Sequence, residues 1–189
     1  MTIDTDVTKK IKLVLVGEKS VGKTALISIY LKNKFHEDYR PTTYDEYHGI
    51  KTIEGKEIPI EIQDTSGEEQ VMQDKRQGQY EDADIFIICV ACNARDQLDS
   101  VGKWKADFQA VEPAKPIALI LTKSDLAGEC EEPITLEELR EKSTHEGLQY
   151  AAETSSKQWD DHNVHKAFAK VFSLAYRSNY GDEEDSHSN

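Results

Sequence analysis

The chain has 189 residues, 38 % of them hydrophobic, and a formal net charge of −13. That length and apolar content suit one domain with enough interior for a real core, and a second domain is not needed. A field of this sign repels phosphate backbones, which argues against general binding to nucleic acid or anionic lipid, so any nucleotide must be held locally.

No apolar run approaches the ~20 residues of a membrane span. The first residues (Met1, Thr2, Ile3, Asp4, Thr5, Asp6) lack the basic-then-apolar order of a signal peptide. The expectation is a cytoplasmic protein, in keeping with three cysteines (Cys89, Cys92, Cys130) whose odd number favours reduced, structural thiols over a disulfide framework.

Residues 1–10 read as an N-terminal extension. The apolar run from Ile11 to Val16 then reads as a buried strand, and Ala25, Leu26, Ile29 and Tyr30 set the period of a helix near residues 23–32. Between them stand Gly17, Glu18, Lys19, Ser20, Val21, Gly22, Lys23 and Thr24, which fit the phosphate-loop pattern of two glycines four residues apart followed by Lys and Ser/Thr. Backbone N–H groups converge there at the positive end of the helix dipole, so a polyphosphate is the natural occupant. Lys23 is expected on the β- and γ-phosphates and the Thr24 hydroxyl on magnesium, with Gly17, Gly22 and the first helical residues up to Ala25 lining the cradle. The plain alternative is a glycine-bearing strand-to-helix turn.

Ile58, Ile60 and Ile62 alternate with polar neighbours, as in a peripheral strand, whereas residues 85–90 and 117–121 are continuously apolar, as in central strands covered on both faces. Val101, Trp104, Phe108 and Val111 set a helix between those two runs. Thr135 and Glu138 make a capping box ahead of a short helix ending near Gly147. Val164, Phe168, Val171, Phe172 and Ala175 form one face of a final helix. This alternation is a doubly wound α/β order with a mixed sheet. There is no internal repeat. The domain is expected over residues 11–178, and residues 179–189, with Gly181, Asp182, Glu183, Glu184 and Asp185, read as an acidic disordered tail.

Four further segments, Tyr39-Arg40-Pro41-Thr42, Asp64-Thr65-Ser66-Gly67, Thr122-Lys123-Ser124-Asp125 and Glu153-Thr154-Ser155-Ser156-Lys157, fall in the order and spacing of a small GTPase, and over residues 11–177 the chain resembles the Ras superfamily, closest to its Rho and Ras branches. The resemblance implies a P-loop NTPase G domain: an α/β fold with a six-stranded, mostly parallel sheet and helices on both faces. Residues 35–47, centred on Tyr39, Arg40, Pro41 and Thr42, are similar to switch I and the effector region. Thr42 is implied as a second magnesium ligand, released when the γ-phosphoryl group is lost. Asp64, Thr65, Ser66 and Gly67, after the isoleucine strand, match the Asp-x-x-Gly element, with Asp64 holding magnesium through water and the Gly67 N–H sensing the γ-phosphate.

Thr122, Lys123, Ser124 and Asp125 end the strand at 117–121 and separate guanine from adenine. The Asp125 carboxylate accepts from the N1–H and N2 amino group of guanine, whereas adenine turns an unprotonated nitrogen on that charge. Lys123, with Leu126 beside it, is implied to lie along the base; Thr122 stands where many GTPases have Asn, though Rho-branch members also carry Thr. The segment Glu153, Thr154, Ser155, Ser156 and Lys157 resembles the one whose backbone N–H reads the guanine O6, with Lys157 closing the other face. Phe35 is similar to the aromatic that meets the base edge-on, a core Phe being the even alternative.

The chain departs from the pattern in three places. Glu68 occupies the position of the water-orienting Gln; an ionised Glu only accepts and brings negative charge toward the γ-phosphate, so turnover should differ from the family norm. Gln70 is a weaker substitute. Lys19 and Ser20 stand where Ras has two glycines, and a lysine there could obstruct an incoming arginine finger. No cysteine follows Cys130, so the expected prenylation box is missing and no direct lipid anchor is visible. His162 and His165, one helical turn apart, read as surface histidines more readily than as a metal pair.

The resemblance therefore implies a monomeric switch that binds GTP and GDP with Mg²⁺, hydrolyses GTP through Lys23, Thr42 and Glu68, and meets effectors, exchange factors and GTPase-activating proteins through its switch regions. Membrane recruitment would depend on a partner, and no nucleic acid is expected. The rival from another class is a GTP-binding scaffold with negligible hydrolysis, motivated by Glu68 and Lys19. An ATP-using small kinase shares the phosphate loop but is opposed by Asp125.

Overall fold

The computed structural model describes residues 9–32, 44–65, 78–158 and 163–184. Six strands form one sheet: β1 (Ile11–Val16), β2 (Tyr44–Ile53), β3 (Lys56–Thr65), β4 (Ile85–Ala91), β5 (Ile117–Thr122) and β6 (Tyr150–Glu153), in the spatial order β2-β3-β1-β4-β5-β6. Only β2 runs antiparallel, against β3; the other pairs are parallel. The carboxyl ends of β1, β3, β4, β5 and β6 therefore point the same way, and in an open α/β sheet that is the side on which ligands bind.

Helices cover both faces, as the sequence leads one to expect. One face packs Ile11, Leu13, Leu15, Ile60, Ile87 and their neighbours against α1 (Lys23–Lys32) and α4 (Asn163–Glu184). The other packs Val14, Val16, Phe86, Ile88 and Leu119 against α2 (Gln97–Gln109) and α3 (Leu136–His145). Alternate side chains of β1 and β4 serve opposite faces, which is why both strands are apolar apart from Lys12 near the start of β1. Val111 lies beyond the end of α2 and packs from the turn that follows it.

Two expectations change. The isoleucine strand is not peripheral: β3 sits inside the sheet and the long strand β2 forms the edge. The polar side chains that alternate with its isoleucines include Glu61 and Gln63, each only 4 % exposed, so the alternation reflects a polar covered face rather than water. Residues 179–184, expected to be disordered, continue α4 as helix to Glu184. Two contacts hold that end down: Asn179 donates to Asp84 Oδ1 at 2.8 Å, and the Tyr180 hydroxyl donates to the Lys9 carbonyl at 2.8 Å. These side chains dock the helix before its acidic residues begin, so the charge run does not decide the backbone there.

Candidate functional site

The phosphate loop leaves β1 at Gly17, whose φ is +139°. A Cβ there would come within 2.4 Å of the Cys89 carbonyl oxygen on β4, so both the backbone conformation and the close strand approach require glycine. Gly22, at φ +107°, also takes up a positive φ just before α1 begins. The Lys23 ammonium is almost wholly buried and donates to the carbonyls of Gly17 at 2.8 Å and Glu18 at 3.1 Å, so it lies along the loop it belongs to. Lys19 and Ser20 are exposed at the tip, and Ser20 is itself left-handed at φ +61°.

Beside the loop, the Thr24 hydroxyl donates to Asp64 Oδ2. Asp64 is fully buried on β3, and Thr65 next to it donates to the Leu15 carbonyl at 2.7 Å, locking the end of β3 to β1. A hydroxyl and a buried carboxylate in contact at the foot of a phosphate loop are hard oxygen donors that fit Mg²⁺.

Across the sheet edge, the end of β5 carries the second half of the site. Thr122 is 2 % exposed, and its hydroxyl donates to the Val21 carbonyl of the phosphate loop at 2.5 Å. Lys123 turns through φ +57° into a short 3₁₀ segment, Ser124–Glu129, which holds Asp125 and Leu126. That turn is pinned twice: the Leu126 N–H donates to the Lys123 carbonyl at 2.9 Å, and the Cys92 thiol donates to the same carbonyl at 2.8 Å. The loop after β6 closes on it from the other side. Ser124 N–H donates to the Thr154 carbonyl at 3.1 Å, and the buried Ser155 hydroxyl donates to Asp125 Oδ1 at 2.6 Å. Ser156 is half-buried and Lys157 exposed on the same loop.

The network fixes one carboxylate, Asp125, by a hydrogen bond to one of its oxygens, and ties its turn to the phosphate loop through Thr122. A ligand must therefore present a polyphosphate at one end and hydrogen-bond donors at the other. A model of the Ras family matches residues 12–177. This chain belongs to the Ras family. A protein named GTP-binding protein RHO1, from Candida albicans, is 34 % identical to it, the match covering 74 % of this chain and 72 % of the relative. The chain is thus a small GTPase of the Ras superfamily related to Rho, a switch that binds GTP and GDP and hydrolyses GTP. Membership in a hydrolytic family does not favour the scaffold reading. Ras and Rho GTPases generally work through regulators and effectors.

Of the residues expected at the GTPase site, the fold brings Gly17, Glu18, Lys19, Ser20, Val21, Gly22, Lys23, Thr24, Ala25, Asp64, Thr122, Lys123, Asp125, Leu126, Ser155, Ser156 and Lys157 to the side of the sheet where the carboxyl ends of β1, β3, β5 and β6 lie. Phe35, Tyr39, Pro41, Thr42, Gly67, Glu68, Gln70 and His162 lie outside the described residues. Three roles escaped the sequence reading: the Ser155 hydroxyl as a holder of Asp125, the Val21 carbonyl as the anchor of Thr122, and Cys92 as a thiol bound to the Lys123 carbonyl. Small polar residues at strand ends carry no pattern that announces such partners. The cysteines are free thiols, and burial pushes Cys89 up to about 12, which suits a packing role.

Proposed function

We propose that this GTPase selects guanine through Asp125, with Ser155 setting the orientation of the carboxylate and Lys123, Leu126, Ser156 and Lys157 flanking the base. The observation that carries this is the Ser155–Asp125 hydrogen bond at 2.6 Å, which leaves the carboxylate fixed at the strand-end edge that also bears the phosphate loop. Lys23 neutralises the phosphates, and the backbone of residues 17–24 donates to them. Thr24, Asp64 and Thr42 are the residues that would hold Mg²⁺, supported by the contact of the Thr24 hydroxyl with the buried Asp64. Bound magnesium supplies charge neutralisation on the β- and γ-phosphates.

Residues 42–47 are the surface read by effectors, and the switch regions meet exchange factors and GTPase-activating proteins. The protein works as a monomer in the cytoplasm and reaches membranes through a partner, a reading supported by its acidic charge, which disfavours direct adhesion to anionic lipid. Glu68 sets the rate of hydrolysis, since a carboxylate cannot donate as a Gln amide does. The test pairs two measurements on the Mg²⁺-loaded protein. GTP should displace labelled GDP at roughly 10⁴-fold lower concentration than ATP, as expected where a carboxylate covered by the base would be left unpaired. Single-turnover phosphate release should then differ between the native protein and Glu68→Gln. Equal displacement by ATP would remove the role given to Asp125, and equal rates would remove that of Glu68.

A further inference from the structure

The antiparallel register of β2 and β3 sets His48 opposite Glu61 and Glu46 opposite Gln63, so these four side chains share one face at the edge of the sheet. One ligand atom from each of Glu46, His48 and Glu61 lies within 4.8 Å of the others, and His48 Nε2 is 2.7 Å from Glu46 Oε1. We propose that these three residues bind a divalent transition ion of the zinc type.

The donor set is one imidazole nitrogen and two carboxylate oxygens, which suits zinc; Mg²⁺ and Ca²⁺ take oxygen ligands and have no use for the imidazole. A second observation concerns Gln63, which is 4 % exposed. Its amide nitrogen donates to Glu61 Oε1 at 2.8 Å, while its amide oxygen is buried with no hydrogen-bond partner among the described residues. A buried acceptor in that condition is costly, and it sits on the side chain that holds the central carboxylate of the cluster. The Gln63 amide nitrogen holds Glu61 Oε1 at a fixed place in the cluster, so the carboxylate is oriented before any ion arrives. The Lys10 ammonium, half exposed, contacts the other oxygen of Glu61 and is the internal cation that an incoming ion displaces. The site is distinct from the magnesium position, because Asp64 has the opposite parity to Glu61 on β3 and faces the other way.

An occupied site links the edge strand to its neighbour through side chains as well as backbone. The experiment uses the full chain loaded with Mg²⁺ and GDP, titrated with zinc chloride alone, and follows the ring-nitrogen resonances of His48 together with calorimetric affinity. Saturable one-to-one binding that moves the His48 resonances is expected. His48→Ala, at a position 60 % exposed and safe for folding, should weaken that affinity at least tenfold. Lys10→Met should tighten it severalfold, because the competing cation is gone. Unmoved His48 resonances at saturation, or equal affinity in His48→Ala, would overturn the proposal.

Discussion

Ser155 reaches Asp125 from a different strand end, and that makes its hydroxyl a positioning group whose removal can be read in nucleotide affinity. Ser155 is 6 % exposed and also accepts from the Gln158 N–H at 3.0 Å, so its oxygen is held in place while its proton goes to the carboxylate. A hydrogen bond to a charged acceptor contributes about 1.5–3 kcal/mol. Ser155→Ala should therefore raise the Kd for GDP by roughly ten- to a hundredfold, with the phosphate loop unaffected. Measured affinities for GDP and for inorganic pyrophosphate separate the two halves of the site: the first should fall and the second should not. Gly17 shows the opposite case, a residue whose need is legible from the motif and whose physical reason, the Cys89 carbonyl at 2.4 Å from a built Cβ, appears only when β1 and β4 are paired.

At the scale of elements, what could be read from sequence followed burial. β1, β4 and β5 are apolar apart from Lys12 and Thr122 because both faces of the sheet are covered, and such runs leave little choice of structure. β2 is implied by the six-stranded expectation that the resemblance carries, but the residues alone do not locate it. Its residues Asp45, Glu46, Tyr47, His48 and Gly49 lie on an edge, where polar side chains and a glycine weaken the alternation that marks a half-buried strand. The capping box of α3 was legible, since Thr135 and Glu138 stand at the required spacing. Its third member was not: Arg95, remote in sequence, donates from Nη2 to Glu138 Oε1, while Glu138 Oε2 accepts from the Thr135 N–H at 2.8 Å. Arg95 first, and then the Thr135 backbone, hold the Glu138 carboxyl down at about 2, against an ordinary value of 4.5. Because the folded value is depressed, the stabilisation is fully present above the ordinary value and is lost as pH falls from 4.5 toward about 2. Denaturant titrations should accordingly find Glu138→Gln less stable than the native protein at neutral pH. The difference should shrink with acid and with salt, since Glu138 is about one-third exposed.

At the scale of the whole molecule, Asp84 joins the two ends of the chain. It stands just before β4, 1 % exposed, and accepts from the Lys12 N–H at 2.9 Å, from Lys115 Nζ at 3.1 Å and from Asn179 Nδ2 at 2.8 Å. Those donors come from β1, from the turn ahead of β5 and from the last turns of α4, so one carboxylate closes the side of the sheet opposite the strand ends that carry the nucleotide site. Nothing in the local sequence marks it, because each partner is remote. Asp84→Ala removes one charged acceptor from three donors, the partly exposed Lys115 ammonium and two amides, a change of about 3 kcal/mol for the hydrogen bonds lost. For a domain of this size that corresponds to roughly 6–12 °C in Tm, measured with GDP and Mg²⁺ held at fixed concentration because bound ligand itself raises Tm. Hydrogen exchange gives the sharper test. Residues near Asn179 and Tyr180 should lose protection in Asp84→Ala, while those of β5 and the Ser124–Glu129 turn should keep it, because the anchor lies at the far end of the sheet from Asp125. Uniform loss across the whole chain would mean that Asp84 supports the global fold and does not act as a local clasp on α4.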